Sequence, residues 1–360
     1  MTTIPEALAT LARSPDHIVL HRVPNHNVVY RPRPVDSGRV FRGAILDTET
    51  TGLTADDTMI EVAIVSFEYD ARGIIRIVDV VDELQDPGAP LKPDITALTG
   101  LTDADLAGKQ FDKERIEGAL HNARLIIAHN AGFDRPHMER VFPVAADKPW
   151  ACSQAQLPWV KEYGMGSSRL EYLLMRHGFF YEAHRAETDC RALLHLLTKP
   201  APGWDGKWQL FQVLRDQAAK PSLHVWLVDL PFDKKDAAKA AGYVWSDGSA
   251  PGSYKAWHKD IATPQEAQEA LEAIKSWYRR QALPVVVTTQ TAATRFSQRK
   301  VAAERIDALE HLAAEGVIAK ARALMDAKKD DPAEPGSGNL QDVVAADARK
   351  VLDNALGIKP

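Results

Sequence analysis

Apolar and polar positions change their period several times along the chain, and those changes outline its elements. Residues 1–42 open with a short apolar helical stretch and pass into RVPNHNVVYRPRP, which holds no long period and reads as an N-terminal extension. From Val40 to about Lys199, strand-like runs (FRGAILD, MIEVAIVSF, GIIRIVDVV, ARLIIAHN) alternate with helical ones (DKERIEGALHNA, RLEYLLMRHGF, ETDCRALLHLL). Three strands precede the first of these helices, so the pattern predicts a mixed sheet flanked by helices over 43–200. KPAPGWDGKW then breaks the period, and 201–222 reads as a linker. A second α/β module spans 223–283, with a strand (LHVWLVDL), a short helix (KKDAAKAAG), a turn-rich aromatic stretch and a longer helix (TPQEAQEALEAIKSWYRR). Beyond PVVVTT, Ile306, Leu309, Ala313, Val317 and Leu324 recur at helical spacing, so 284–360 reads as a helical tail with a helix from about Phe296 to Lys329.

Composition narrows the classes. With 360 residues, 45% hydrophobic and 26% charged, the chain is an ordinary globular protein with room for two domains and a smaller piece. Lys+Arg 44 against Asp+Glu 49 gives −5, the wrong sign for a protein that coats a polyanion with positive charge. Any nucleic-acid contact must then be local. Cys152 and Cys190 are the only cysteines, too few for a disulfide framework, and a reducing compartment is expected. No apolar run approaches the roughly 18 residues of a membrane span, and Glu6 precedes the first base, Arg13, unlike a signal peptide. A cytoplasmic protein with no membrane partner is expected.

The candidate chemistry lies in three acidic motifs. In AILDTETTGL an apolar strand ends in Asp47 and Glu49, which alternation places on one face about 6–7 Å apart, with Thr48 pointing the other way. Spacing alone does not select this pair, since Glu68/Asp70, Asp103/Asp105 and Glu187/Asp189 share it; the buried-strand lead-in and the adjoining TTG do. In RLIIAHNAGFDRPHMERVF a strand and a turn bring Asp134 to the start of a helix, with Asn130 as its cap and a candidate for substrate binding. In HRAETDCRALLHLL, His184 and Asp189 enter an amphipathic helix.

In this order, DTETTGL, HNAGFD and HRAETD resemble the DEDDh (DnaQ-like) 3′–5′ exonucleases, over roughly residues 40–198. WACS near residue 150 and SSRLEYLLMRHGF resemble that family's intervening segments, whereas Thr99-Gly100-Leu101 stands where many relatives have His-Gly-Ile. The resemblance implies an RNase H-like fold, Asp47, Glu49, Asp134 and Asp189 as ligands of two Mg²⁺ (or Mn²⁺), and His184 as general base. Two cations would offset the charge of acids and phosphate that otherwise repel one another. In this reading Asp47 bridges, Glu49 and Asp189 complete one shell, and Asp134 holds the second ion. Thr50 and the TTG amides become candidates for the terminal 3′ hydroxyl, and Leu53 for a wedge against the last base. The implied activity is release of nucleoside monophosphates from single-stranded or frayed DNA ends, in proofreading beside a replicative polymerase or in repair. An RNA-trimming enzyme and a non-catalytic end-binding adaptor are the alternatives.

In the second module, Lys234, Lys235, Lys239, Lys255 and Lys259 are interleaved with Tyr243, Trp245, Tyr254 and Trp257. Cations and flat rings together suit single-stranded nucleic acid, which makes Lys235, Lys239, Trp245 and Trp257 substrate-binding candidates. The same aromatics could equally build a small core. The order of Pro-Phe, Lys, Gly-Tyr, Trp and Lys-Ala-Trp resembles an accessory domain found behind some bacterial DnaQ-like exonucleases and a module of primase-like DNA proteins.

Overall fold

A computed structural model describes residues 3–33, 39–54, 56–204, 206–248, 253–261, 264–278, 285–299 and 304–306, in two compact units that divide after Gln217. The first unit is built on a five-stranded sheet in the order Gly73–Leu84, Met59–Asp70, Phe41–Thr50, Ile126–Ala128, Trp150–Cys152. The first three strands are antiparallel, and the last two join Phe41–Thr50 in parallel. The helices Lys113–Asn122, Ala131–Val141 and Ala186–Leu197 pack on this sheet. This mixed sheet flanked by helices is the expected RNase H-like fold.

All twelve residues of Met59–Asp70 are buried, which accounts for its long apolar run and demands partners for its acids. Glu61 meets Arg185, Glu68 meets Arg76 and Asp70 meets Arg31. The last pair ties the N-terminal segment down, together with Tyr30 N–H donating to Ile75 O at 2.8 Å. His21–Arg22 also pairs in parallel with Phe179–Phe180. The expected extension 1–42 is therefore laced onto the domain, and Phe41 and Arg42 already belong to the central strand.

The expected linker at 201–222 is corrected by helix Leu210–Ala219. Leu210 and Phe211 are fully buried, and the Phe211 ring packs edge-on to Phe67 at 5.5 Å and Tyr69 at 4.9 Å. The Gln209 side chain accepts from Ile74 N–H at 2.8 Å, an approach open only because Gly73, at φ 114°, has no Cβ in its path. The Pro/Gly stretch before this helix marked the turn correctly but hid the helix itself.

The second unit is an antiparallel sheet in the order Glu304–Ile306, Val285–Gln290, Ser222–Leu227, Lys255–Ile261, Val244–Asp247. Leu223, Val225, Leu227, Val285 and Val287 pack with Ala270, Leu271 and Ile274 of helix Pro264–Trp277. The module thus runs past its expected end at 283, and Val285–Gln290 and Glu304–Ile306 are strands where a helical tail was expected. The β-branched run PVVVTT carried that signal. The rest of the expected tail helix, beyond Ile306, lies outside the described residues. No helix among the described residues is long and apolar enough to cross a membrane.

Replacing Phe211 by Ala should lower the unfolding free energy by about 3–5 kcal/mol, as for large buried aromatics. Urea denaturation of the full chain checks this; a loss under roughly 1 kcal/mol would return the helix to the role of a passive connector.

Candidate active site

The site starts at the carboxyl end of the central strand, where the sheet changes from antiparallel to parallel neighbours. In open α/β sheets the space beyond such strand ends is where ligands bind. Asp47 and Glu49 stand on one face there, and the register slips between Glu49 and Thr50, ending the ladder. Asp189, from the first turn of helix Ala186–Leu197, meets them: one carboxylate oxygen of each of the three lies within 4.8 Å of the others.

Asp134 comes from helix Ala131–Val141 and is 2% exposed. Its Oδ1 accepts from Thr48 N–H at 3.1 Å and from Thr48 Oγ1 at 2.9 Å. Thr48 was expected only to point away from the acids; it fixes the fourth one instead. Asn130 is the residue before this helix, but it sits in the left-handed region at φ 79° and its side chain makes no cap bond. Asparagine is used here for its tolerance of that conformation.

Asp189 is held from three sides. Tyr181 Oη donates to Oδ1 at 2.8 Å, while the backbone N–H groups of His184 (2.8 Å) and Arg185 (3.2 Å) donate to Oδ2. The His184 side chain is exposed, on a backbone with φ 68°. Beneath the acids, Asp47 and Asp189 share a small cavity with Ile45, His129, Leu170 and Cys190. Burial pushes the His129 imidazole down to about 4, against a hydrogen bond to Ser168 O that favours its charged form.

The acids show the strain of their grouping. Burial first, then the negative charges of Asp134, Asp189, Glu49 and Glu61, push the Asp47 carboxyl well above the carboxylate range. Burial and the charge of Asp189 push Glu49 up to about 8. Asp134 is pushed up to about 7 by burial, although the Thr48 donors pull it down. Asp189 is raised by burial against the donors it accepts from. A cation among these oxygens would oppose the repulsion that raises them, and their all-oxygen composition fits Mg²⁺ or Mn²⁺ rather than zinc.

The remaining candidates are dispersed. Thr50 is buried with its hydroxyl donating to Gly52 O, whereas Leu53 is 86% exposed. Thr99 is also buried, accepting from Leu101 N–H at 3.1 Å as the helix Pro93–Thr99 closes. In the second unit, Trp245 and Trp257 are register partners with rings 5.8 Å apart; Trp257 is half-buried against the core and Trp245 half-exposed. Lys235 lies over Phe232 at 4.1 Å, and Lys239 is exposed on helix Lys235–Ala240. Tyr243, 3% exposed, is a core residue.

Sequence reasoning missed Thr48, Tyr181, Glu61 and Arg185. Glu61 left a signal: an acid inside MIEVAIVSF must find a buried partner. It stands directly opposite Glu49 in the ladder, and Arg185 grips it with Nε at 3.0 Å and Nη2 at 2.8 Å.

The family model RNase_T, an exonuclease family, matches residues 44–197. The chain is 30% identical over 224 residues to the PolC-type DNA polymerase III of Streptococcus pyogenes, covering 57% of this chain and 14% of that protein. In the serotype M3 relative the match is 30% over 196 residues, 49% of this chain and 12% of the relative. The chain thus spans about one seventh or less of the length of these curated relatives. Among solved structures it is similar to exonuclease X in complex with 5′ overhanging duplex DNA, at 25% identity and TM-score 0.35, over 48% of this chain and 99% of that one. Exonuclease I in its apo form gives 16% identity and TM-score 0.36, over 51% and 49%. The family match marks residues 44–197 as an exonuclease domain, and that domain is similar to the DEDDh-type, DnaQ-like exonucleases.

The raised carboxyls set a direction for pH dependence. Unfolded carboxyls titrate at about 4, so between roughly pH 4.5 and 8 the folded, metal-free site binds more protons than the unfolded chain. Stability should therefore fall as pH rises through that window. Calorimetry in EDTA should show Tm dropping from pH 5 to pH 8 with a slope that Glu49→Gln/Asp134→Asn reduces, and Mn²⁺ should raise Tm more at pH 8 than at pH 6. A slope unchanged in the double variant would refute the assignment.

Proposed function

We propose that the chain is a divalent-metal-dependent 3′–5′ exonuclease that releases nucleoside monophosphates from single-stranded or frayed DNA ends, in proofreading or repair. The observation that carries this is the convergence of Asp47, Glu49 and Asp189 within 4.8 Å at the end of the central strand, inside an exonuclease-family domain. DNA is favoured over RNA because the curated relatives are DNA polymerases of the PolC type. A replicative polymerase as partner, and the cytoplasm as location, belong to the same reading.

Asp47, Glu49 and Asp189 would hold one cation, and Asp134, kept in place by Thr48, would serve a second. When bound, such ions neutralise phosphate charge, favour hydroxide over water and stabilise a leaving oxygen. The residues of the chain do the rest. Tyr181 and the backbone amides of His184 and Arg185 keep the Asp189 carboxylate from rotating. The exposed His184 imidazole takes the proton of the attacking water on a ring nitrogen, a role for which imidazole is the side chain best suited at neutral pH. Exposed Leu53, four residues past Glu49, is placed to wedge against the terminal base. In the second unit, Trp245, Trp257, Lys235 and Lys239 offer rings and charge for the strand.

Digestion of 5′-labelled single-stranded DNA, duplex DNA and RNA, read at single-nucleotide resolution, tests this. With Mg²⁺ or Mn²⁺ a ladder shortening from the 3′ end is expected. Asp47→Ala should lose about 10³-fold or more and His184→Ala about 10²–10⁴-fold in rate. Faster cutting of RNA would make the enzyme an RNA trimmer. End binding without product in any metal would make it an adaptor and sink the proposal.

A further inference from the structure

His184 does not stand on a rigid element. It occupies the last loop position but one before helix Ala186–Leu197, on a left-handed backbone at φ 68° that a residue with a side chain adopts only when its surroundings enforce it. Arg185 is the helix N-cap residue, yet its own side chain caps nothing. The donors at this helix start are taken by two carboxylates, one from the helix's own first turn and one from the neighbouring strand. Asp189 Oδ2 accepts from the N–H groups of His184 and Arg185, and Glu61 Oε2 accepts from Ala186 N–H at 3.2 Å.

Glu61 is fully buried in the neighbouring strand, where it also meets the Asp82 side chain, and it binds Arg185 at three distances: Nε at 3.0 and 3.3 Å to its two oxygens and Nη2 at 2.8 Å. One residue thus binds the turn twice, once through the backbone of 186 and once through the side chain of 185. The Arg185 side chain is itself 44% exposed, so it is not core filling. A planar fork bonded in two places fixes orientation as a single ammonium would not.

We propose that the Glu61–Arg185 ion pair is a positioning device that holds the His184–Arg185 turn, and through it sets the His184 imidazole above the three carboxylates. Arg185 has a second effect in the same place. Glu61 faces Glu49 across the ladder and adds its negative charge to the fields at Asp47, Glu49 and Asp82. The Arg185 guanidinium keeps that fifth carboxylate bound to the helix start. The pair rests on the exonuclease reading for its consequence in catalysis, but not for its hold on the turn.

The test uses the full chain in four forms besides wild type: Arg185→Met, Arg185→Lys, His184→Ala and His184→Ala/Arg185→Met. On single-stranded DNA with Mn²⁺, Arg185→Met should lower kcat about 30-fold with KM within about 3-fold, and Arg185→Lys should recover only part of it. The Mn²⁺ Kd by calorimetry should stay within about 3-fold. In the His184→Ala background the same arginine change should cost less than about 3-fold, because its effect passes through the imidazole. In metal-free protein, amide exchange at residues 184–186 should quicken more than about 10-fold in Arg185→Met. A full 30-fold loss on top of His184→Ala, or unchanged exchange at those amides, overturns the proposal. If Arg185→Met does not fold, Arg185→Lys carries the same comparisons. If wild type itself cuts nothing with metal, the exonuclease reading fails while the exchange measurement still decides whether the pair holds the turn.

Discussion

Like-charged groups brought together out of water are the constraint on which the rest of this domain depends. Asp47, Glu49 and Asp189 offer oxygens within 4.8 Å of one another, with buried Asp134 close enough to raise Asp47 further. Nothing in the carboxylates themselves favours that arrangement. It persists because each acid arrives on an element anchored elsewhere: two on a central strand paired on both sides, and two on separate helices packed against the sheet. The hydrogen-bond donors support the acids individually, Thr48 for Asp134 and Tyr181 with two amides for Asp189, and leave the shared space to a cation. Fold stability is thus spent on a site that is complete only with its countercharge.

The same electrostatic logic runs through the neighbouring strand. Met59–Asp70 buries three acids, and each is matched by an arginine from a different region: Arg185 at a helix start, Arg76 on the adjacent strand, Arg31 on the N-terminal segment. Breaking a buried pair strands the remaining charge, which is far more destabilising than the pair is stabilising. These arginines therefore work as registration points. They tell the N-terminal segment and the site-bearing helix where to lie.

How far the sequence disclosed all this depends on the kind of signal involved. The central strand and its acids were legible because a buried strand running into TTG is a local pattern, and the three motifs appear in order. Glu61 and Thr48 were not, since their roles are set by partners 124 and 86 residues away. Helix Leu210–Ala219 was hidden by the Pro/Gly stretch before it, and Phe211 finds its place only against Phe67 and Tyr69. At 285–306 a period was misjudged: PVVVTT completes a sheet that its own helices left short, and the helical spacing read from Ile306 onward was carried too far back.

The second unit shows why composition is a poor guide to binding. Its interleaved lysines and aromatics suggested a stacking surface, but a small five-stranded sheet needs large rings for its own core. Tyr243 is consumed there, Trp257 half so, and Lys259 donates to Ala241 O over the Tyr243 ring. What remains outward among these residues includes half-exposed Trp245, Tyr254, the helix-borne Lys239 and the strand residue Lys255. A nucleic-acid contact drawn from this stretch is therefore narrower than the sequence implied, one or two rings and few charges. Sequence-independent stacking at about 1–3 kcal/mol per base would make such a surface an aid to retention rather than a binding site in its own right. In the proposed reading, with a chain of net charge −5 and acids at the site, the principal attraction for phosphate would come from bound cations.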